Sequence, residues 1–379
     1  MFMLKFLYFY LLFGLVVWLG GVTGFVYHED YVKYYFGPTH PFKPYRSKAT
    51  FELLKDLGVF DEKAKIFEAR MANEDELMLV HTKNFVDFVK RMSEKGSGLL
   101  DYGDTPATKG IYEASALRVG GTLRGAELIM EGKVSHAFNP SGGLHHAKEG
   151  SAGGFCVFND IAVAIRYLQK KYGLKRIAVV DVDGHHGDGT QTIFYDEPIL
   201  TVSFHRYGWF FYPGTGNVNE IGRGEGLGYS VNIPLPMGTF DEAYLYAFKE
   251  IVPPLIKAYK PEIIIQQFGV DSHYEDPLVG LALTTQTYQE IAEIMHKLAH
   301  EISNGKYLIV GGGGYKPENV ARCWAIMFTT VSEVKPKKPE KYKELFDKYK
   351  PQKNEQIFEK VKNTVEQLKK KIFPIHGLT

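Results

Sequence analysis

Along this chain, short runs of β-branched and other apolar residues alternate with longer stretches whose apolar residues return every three or four positions. The short runs predict strands over 22–27, 134–138, 177–182, 199–204, 263–268 and 307–310. Period-3.6 patterning predicts helices over 51–57, 74–79, 84–95, 112–132, 160–171, 240–259 and 287–304. Gly120 and Gly121 inside one of these helices predict that something packs closely against it. Residues 27–46, rich in aromatics, His and Pro without a period, read as a long ordered surface loop, and 96–108 as a turn-rich one. The strand-helix rhythm predicts an α/β fold in which a parallel sheet lies between helix layers. Residues 335–371, dense in Lys and Glu, read as a solvated helix.

Composition narrows the setting without changing this picture. A chain of 379 residues fits one large α/β unit. Its 45 Lys and Arg nearly cancel 44 Asp and Glu, which excludes a broad field that would draw nucleic acid or an anionic membrane. Two cysteines, Cys156 and Cys323, are too few for a disulfide framework or a Cys-type structural zinc site, so a reducing, cytoplasmic setting is expected. Residues 6–22 pull the other way, being almost uninterrupted apolar sequence behind Lys5. An export signal, a membrane anchor and a start codon placed too early are three open accounts of residues 1–21. The expected organisation is therefore 1–21 as an apolar extension, 22–333 as the catalytic domain and 334–379 as a helical tail.

Polar residues gather just past the predicted carboxyl ends of the strands, where parallel sheets bind ligands. The densest group is IAVVDVDGHHGDG over 177–189. Alternation along a strand puts Asp181, Asp183 and His185 on one side, an oxygen and nitrogen set suited to a divalent ion. A charged strand-to-helix turn is the plain alternative. His145 and His146 follow another strand, His205 a third, Asp271 a fourth and Tyr315 a fifth. The glycine run 311–314 fails as a phosphate loop because Tyr315, Lys316 and Pro317 follow it in place of Gly-Lys-Ser/Thr. It serves either as a tight turn or as a close backbone approach that aims Tyr315 at a ligand.

Six spaced segments then occur in order: FNPSGGLHHA (138–147), GFCVFND (154–160), DVDGHHGDG (181–189), PGTG (213–216), FGVDSHYEDPL (268–278) and GGGGY (311–315). Together they resemble the histone deacetylase superfamily, which includes bacterial acetoin-utilisation deacetylases and acetylpolyamine amidohydrolases. The resemblance runs from about residue 22 to 330. It implies a single arginase/deacetylase-like domain with an eight-stranded parallel sheet and zinc-dependent amide hydrolysis, with iron(II) possible in place of zinc.

Residue by residue, the resemblance makes Asp183, His185 and Asp271 the metal ligands. His145 and His146 match the tandem histidines, the second as general base, with Asp181 and Asp188 as their carboxylate partners. Asp181 is also implicated in holding a structural monovalent cation such as K+. Tyr315 matches the phenol that stabilises the tetrahedral oxyanion. Gly154, Phe155, Phe211 and Tyr212 match the channel around an acyl-lysine stem, Asp104 the rim aspartate that binds substrate backbone, and Leu278 a rim position. The implied partner is an acetylated protein lysine or a small acetylated amine, not nucleic acid. Acetylpolyamine-specialised relatives can carry Glu where Leu278 stands, so Leu278 favours acyl-lysine. Two departures matter: Tyr212 replaces the usual Phe before PGTG, and Gly184 replaces a larger apolar residue between two ligands. A two-metal ureohydrolase would need a second Asp where His273 stands, and a non-catalytic relative would not keep every catalytic position filled.

Overall fold

The computed structural model describes residues 21–208 and 210–379. Eight parallel strands form one sheet: β1 (Thr23–Tyr27), β2 (Ala64–Glu68), β3 (His136–Asn139), β4 (Ile177–Asp181), β5 (Leu200–Arg206), β6 (Ser230–Leu235), β7 (Ile263–Gln267) and β8 (Tyr307–Val310). Their spatial order is β2-β1-β3-β8-β7-β4-β5-β6. The helices are α1 (Arg46–Leu57), α2 (Glu74–Leu77), α3 (Lys83–Lys95), α4 (Ile111–Met130), α5 (Asp160–Tyr172) and α6 (Asp188–Phe194). They continue with α7 (Asp241–Tyr259), α8 (Thr285–Ser303), α9 (Pro317–Ser332), α10 (Pro339–Lys343) and α11 (Glu355–Ile372). No described helix is long and apolar enough to cross a membrane. The three accounts of residues 1–21 concern a segment that lies, apart from Gly21, outside the described residues.

Alternation along the strands sorts the helices into two layers. A Cβ on Gly125 of α4 would lie 2.8 Å from Leu308 and 3.3 Å from Ala137, side chains of one sheet face. Phe25 and Phe138, one residue out of phase with them, instead meet Phe328 of α9 at ring separations of 5.3 and 6.4 Å. The layer with α9 continues through α1, α8, α7 and α11, and the other through α3, α4, α5 and α6. Central strands β4, β7 and β8 are buried along their whole length, as a doubly covered parallel sheet requires. Gly120 is the expected close approach, since a Cβ there would come within 1.9 Å of the Arg70 carbonyl oxygen.

One expectation is corrected. The stretch 27–46 is a surface loop on one side only: Val32, Tyr35 and Tyr45 are exposed, while Tyr31, Tyr34, Phe36 and Phe42 are buried and pack in aromatic pairs. Their rings hold Arg118 at 4.0 Å from Tyr34 and Arg46 at 4.4 Å from Phe42. The missing period reflects an irregular backbone that buries some of its rings and exposes others. The Lys/Glu-rich stretch forms α10 and α11, and α11 buries Val361, Val365, Leu368 and Ile372 against α7 and β6.

The order of strands decides where chemistry gathers. The chain passes from β3 to β4 across a gap later filled by β8 and β7, so β3, β8, β7 and β4 become neighbours at the centre. Such a jump opens a crevice at the carboxyl ends of the strands.

Candidate active site

The four central strands each deliver polar groups into that crevice. His145 and His146 follow β3, Asp183 and His185 follow β4, Asp271 follows β7, and Tyr315 follows β8. Asp183, His185 and Asp271 are all buried, with one donor atom apiece within 4.8 Å of the others. Backbone amides fix both carboxylates, Asp183 Oδ1 also accepting from the His185 amide at 3.0 Å. Asp183 Oδ2 accepts hydrogen bonds from Gln267 Nε2 and the Gly313 amide, both at 2.6 Å, while Oδ1 lies 3.2 Å from His185 Nδ1. Asp271 Oδ1 accepts from the Gly184 amide at 2.7 Å, and its Oδ2 lies 2.8 Å from the same His185 nitrogen. Two oxygens and one nitrogen therefore converge, the donor set of a borderline divalent ion, and the residues fit one.

Electrostatics make the same point. Burial, with the Asp183 charge next, pushes Asp271 up to about 7. Burial pulls the His185 ring down, yet its bonds to Asp183 and Asp271 outweigh this and lift it to about 10. A buried pair of carboxylates favours positive charge beside it, which the protons on His145 and His185 supply among the described groups.

Gly184 explains itself in this setting. A Cβ there would fall 2.5 Å from Cγ1 of the fully buried Val279, so Val279 fills the space that a larger residue at 184 would take. His273 Nε2 is engaged with Asp347 Oδ2 at 2.9 Å and is not among the converging donors.

Beside the trio lies a paired histidine relay. His145 Nδ1 donates to Asp181 Oδ2 at 2.6 Å, His146 Nδ1 to Asp188 Oδ1 at 2.7 Å, and the two Nε2 atoms are 3.1 Å apart. The rings differ in charge. Burial opposes protonation of His145, but Asp181 and Asp183 overcome it and raise it to about 9. Burial and the adjacent His145 charge bring His146 down to about 4. One neutral imidazole thus sits against one cationic imidazole.

The pocket above these groups measures about 240 Å³ and is bounded by Asp104, His146, Gly154, Phe155, His185, Phe211, Tyr212, Leu278 and Tyr315. Phe211 stacks on His185 with ring centres 5.0 Å apart, and Tyr212 meets His146 edge-on at 4.9 Å, so both rings line the wall. Phe155 stands edge-on to Tyr315 at 5.9 Å. Gly154 must be glycine: its φ is +52°, and a Cβ would fall 2.4 Å from His146. Leu278 is 38% exposed and sits at the mouth. Asp104 is raised to about 6 by burial and by its bond to Asp101. Tyr315 is aimed by its neighbours, because its amide donates to Asp276 Oδ2 at 2.8 Å while the Gly314 carbonyl accepts from Arg46 Nη1 at 2.8 Å.

Several supporting groups escape the motif reading. Asp160 accepts from the amides of Gly143 and Leu144 at 3.0 and 2.7 Å and from Thr122 Oγ1 at 2.5 Å, which fixes the loop leading to His145. Asn159 Nδ2 donates to the carbonyl of Ala147 at 3.0 Å. Behind it, His81 accepts the Asn159 amide on Nε2 and donates from Nδ1 to the Lys148 carbonyl, both at 3.0 Å. Asn159 and Asp160 end the segment GFCVFND and were open to notice there, whereas His81 and Arg46 carry no local signal.

Comparison with known proteins settles the family. A family model described as "Histone deacetylase domain" matches residues 40–331. The chain belongs to the histone deacetylase family. Within it, the chain is 43% identical over 324 residues to "Acetoin utilization protein AcuC" of Bacillus subtilis (strain 168), covering 82% of each. It is 41% identical over 319 residues to the AcuC protein of Staphylococcus aureus (strain MSSA476), covering 82% of this chain and 81% of that one. With the AcuC protein of Staphylococcus xylosus it shares 39% identity over 323 residues, 83% of each. This histone deacetylase family member is of the acetoin-utilisation type, a hydrolytic deacetylase acting on amide bonds.

Proposed function

We propose that the protein is a zinc- or iron(II)-dependent lysine deacetylase acting on acetylated protein side chains in the cytoplasm. The observation that carries this reading is the placement of the Asp183, His185 and Asp271 donors at the foot of a ring-walled pocket that also holds His146 and Tyr315. Asp183, His185 and Asp271 would hold the ion, whose chemistry there would be Lewis acidity and a lowering of water's pKa to about 7. His146 takes the proton of the attacking water on Nε2 and returns it to the leaving amine. Its place beneath the Tyr212 ring and its pKa, lower than that of His145, support this division. Asp188 fixes the His146 ring through Nδ1. His145 and Asp181 steady the charge that forms beside them, and Asp181 is the residue we assign to a structural K+. The Tyr315 phenol, kept protonated by burial and by Asp271, donates to the developing oxyanion. Phe155, Phe211 and Tyr212 enclose the aliphatic stem and exclude water, while Asp104 receives substrate backbone amides.

The test is acetate release by purified protein loaded with zinc or iron(II), from acetyl-lysine peptides and from N-acetylputrescine and N8-acetylspermidine. The peptides are expected to show the higher kcat/KM, and chelation or Asp183→Ala to abolish turnover. Preference for the acetylpolyamines replaces the protein substrate with a small amine. Turnover that persists in metal-free protein overturns the metal dependence.

A further inference from the structure

At the opposite end of the sheet from the active site, three imidazoles meet. His136 is the first residue of β3, and His296 and His300 stand one turn apart on the same face of α8. His300 Nε2 lies 3.1 Å from His136 Nε2 and 2.9 Å from His296 Nε2. The ring planes cross at 86°, 88° and 79°, with centres 4.6 to 4.9 Å apart, so the three rings form a propeller around their nitrogens.

A hydrogen bond between rings accounts for only one of the two close pairs. A ring nitrogen offers one hydrogen or one lone pair along a single direction, so His300 Nε2 can serve only one of its two neighbours well. A cation can accept a lone pair from each ring at once, and the three donor atoms lie within 4.8 Å of one another. Nitrogens about 2.0–2.1 Å from a tetrahedral zinc lie roughly 3.3 Å from one another. The observed 2.9 and 3.1 Å reach that spacing with an opening of a few tenths of an ångström. His136 is buried while His296 and His300 are half-buried.

The protonation states agree with ligation. Burial, with the mutual repulsion of the three rings, holds His136 well below its ordinary value, and burial with His300 brings His296 to about 4. Neutral imidazole is the form that binds metal. The Glu333 carboxylate acts on His296 and His300 in the opposite direction and would offset part of a bound ion's charge.

We propose that His136, His296 and His300 form a second, structural site for a divalent transition metal of the zinc class, fastening α8 to the amino end of β3. The site is separate from the catalytic trio in sequence and in space, and imidazole-only ligation suits zinc, copper or nickel better than magnesium or calcium.

The experiment titrates full-length, metal-stripped protein with Zn2+ and measures bound equivalents and thermal midpoint. Wild type is expected to bind two equivalents. His296→Gln/His300→Gln should bind one and keep its deacetylase kcat/KM. Asp183→Ala should also bind one tightly and lose turnover, and Zn2+ should raise its midpoint by at least about 2 °C. That rise should vanish when the three substitutions are combined. One equivalent in wild type, or a second equivalent that survives His296→Gln/His300→Gln, overturns the site. So does an unchanged midpoint in Asp183→Ala, an arm that stands even if the histidine variant fails to fold.

Discussion

Acidification should loosen this protein through His81, a residue that touches no substrate. Its ring bridges two loops, accepting the Asn159 amide on Nε2 and donating from Nδ1 to the Lys148 carbonyl. Both nitrogens are therefore committed, and a second proton on Nε2 would turn an acceptor towards a donor. Burial lowers its pKa from 6.5 to about 4. Above the ordinary value, folded and unfolded chains are both neutral at this site. As pH falls through it, the unfolded chain takes up a proton that the folded chain refuses, so stability is lost on the way down to the folded value. The gap costs about 2.5 kcal/mol at about pH 4.5 and under about 0.1 kcal/mol at about pH 7.5. His81→Gln keeps a donor and an acceptor but does not titrate. Urea unfolding of both proteins at the two pH values gives a double difference from which other groups and any bound metal cancel. The wild type should lose roughly 2–3 kcal/mol more than the variant over that interval. Equal losses would mean that His81 protonates freely in the folded state and would refute the reasoning.

Tyr315→Phe should keep its metal and substrate affinity yet lose on the order of 10²- to 10³-fold in kcat, because one oxyanion donor is removed. Near-normal turnover takes the phenol out of the mechanism. Gly184→Ala should cost about 1–3 kcal/mol by forcing Val279 aside, and weaken metal retention because the Gly184 amide holds Asp271. Adding Val279→Ala should recover much of the loss, and wild-type urea stability in the single variant would contradict the packing account. Leu278→Glu should narrow the advantage of acetyl-lysine peptides over acetylpolyamines in kcat/KM, since an exposed rim carboxylate attracts a distal ammonium by roughly a kcal/mol. An unchanged ratio removes Leu278 from substrate selection.

Six strands were legible because each is an apolar run, and the two that were not have physical reasons. β2 is an edge strand with the sequence AKIFE, of which only Ala64 is fully buried. At the other edge, β6 carries Asn232, whose buried amide donates to Gln191 and the Glu220 carbonyl, and Pro234, which an edge strand tolerates. Helix α9 hid for the opposite cause: apolar residues on most of its faces are buried, so no single period stands out. In the active site, groups past the strand ends were readable from motif spacing, whereas alternation misgrouped Asp181: β4 stops there, and its carboxylate holds His145 in place of joining Asp183 and His185. Their supports were not, because Arg46, His81 and Gln267 reach the site only through tertiary packing, and nothing near them in sequence marks them as polar groups with distant partners.

The covering of β6 and α7 by α11 bears on how the chain is made. All eight strands and α7 precede α11, so during vectorial synthesis the surface that receives Val361, Val365, Leu368 and Ile372 exists before its cover does. Among the described residues β6 pairs only with β5, and its second backbone edge lies beside that apolar surface. A nascent chain halted before residue 355 would present an open strand edge and a greasy flank together, the combination that nucleates aggregation. The lysines and glutamates of α11 then keep the finished surface dispersed in water. Its late docking makes this helix a point at which yield of soluble protein, independent of catalytic competence, is decided.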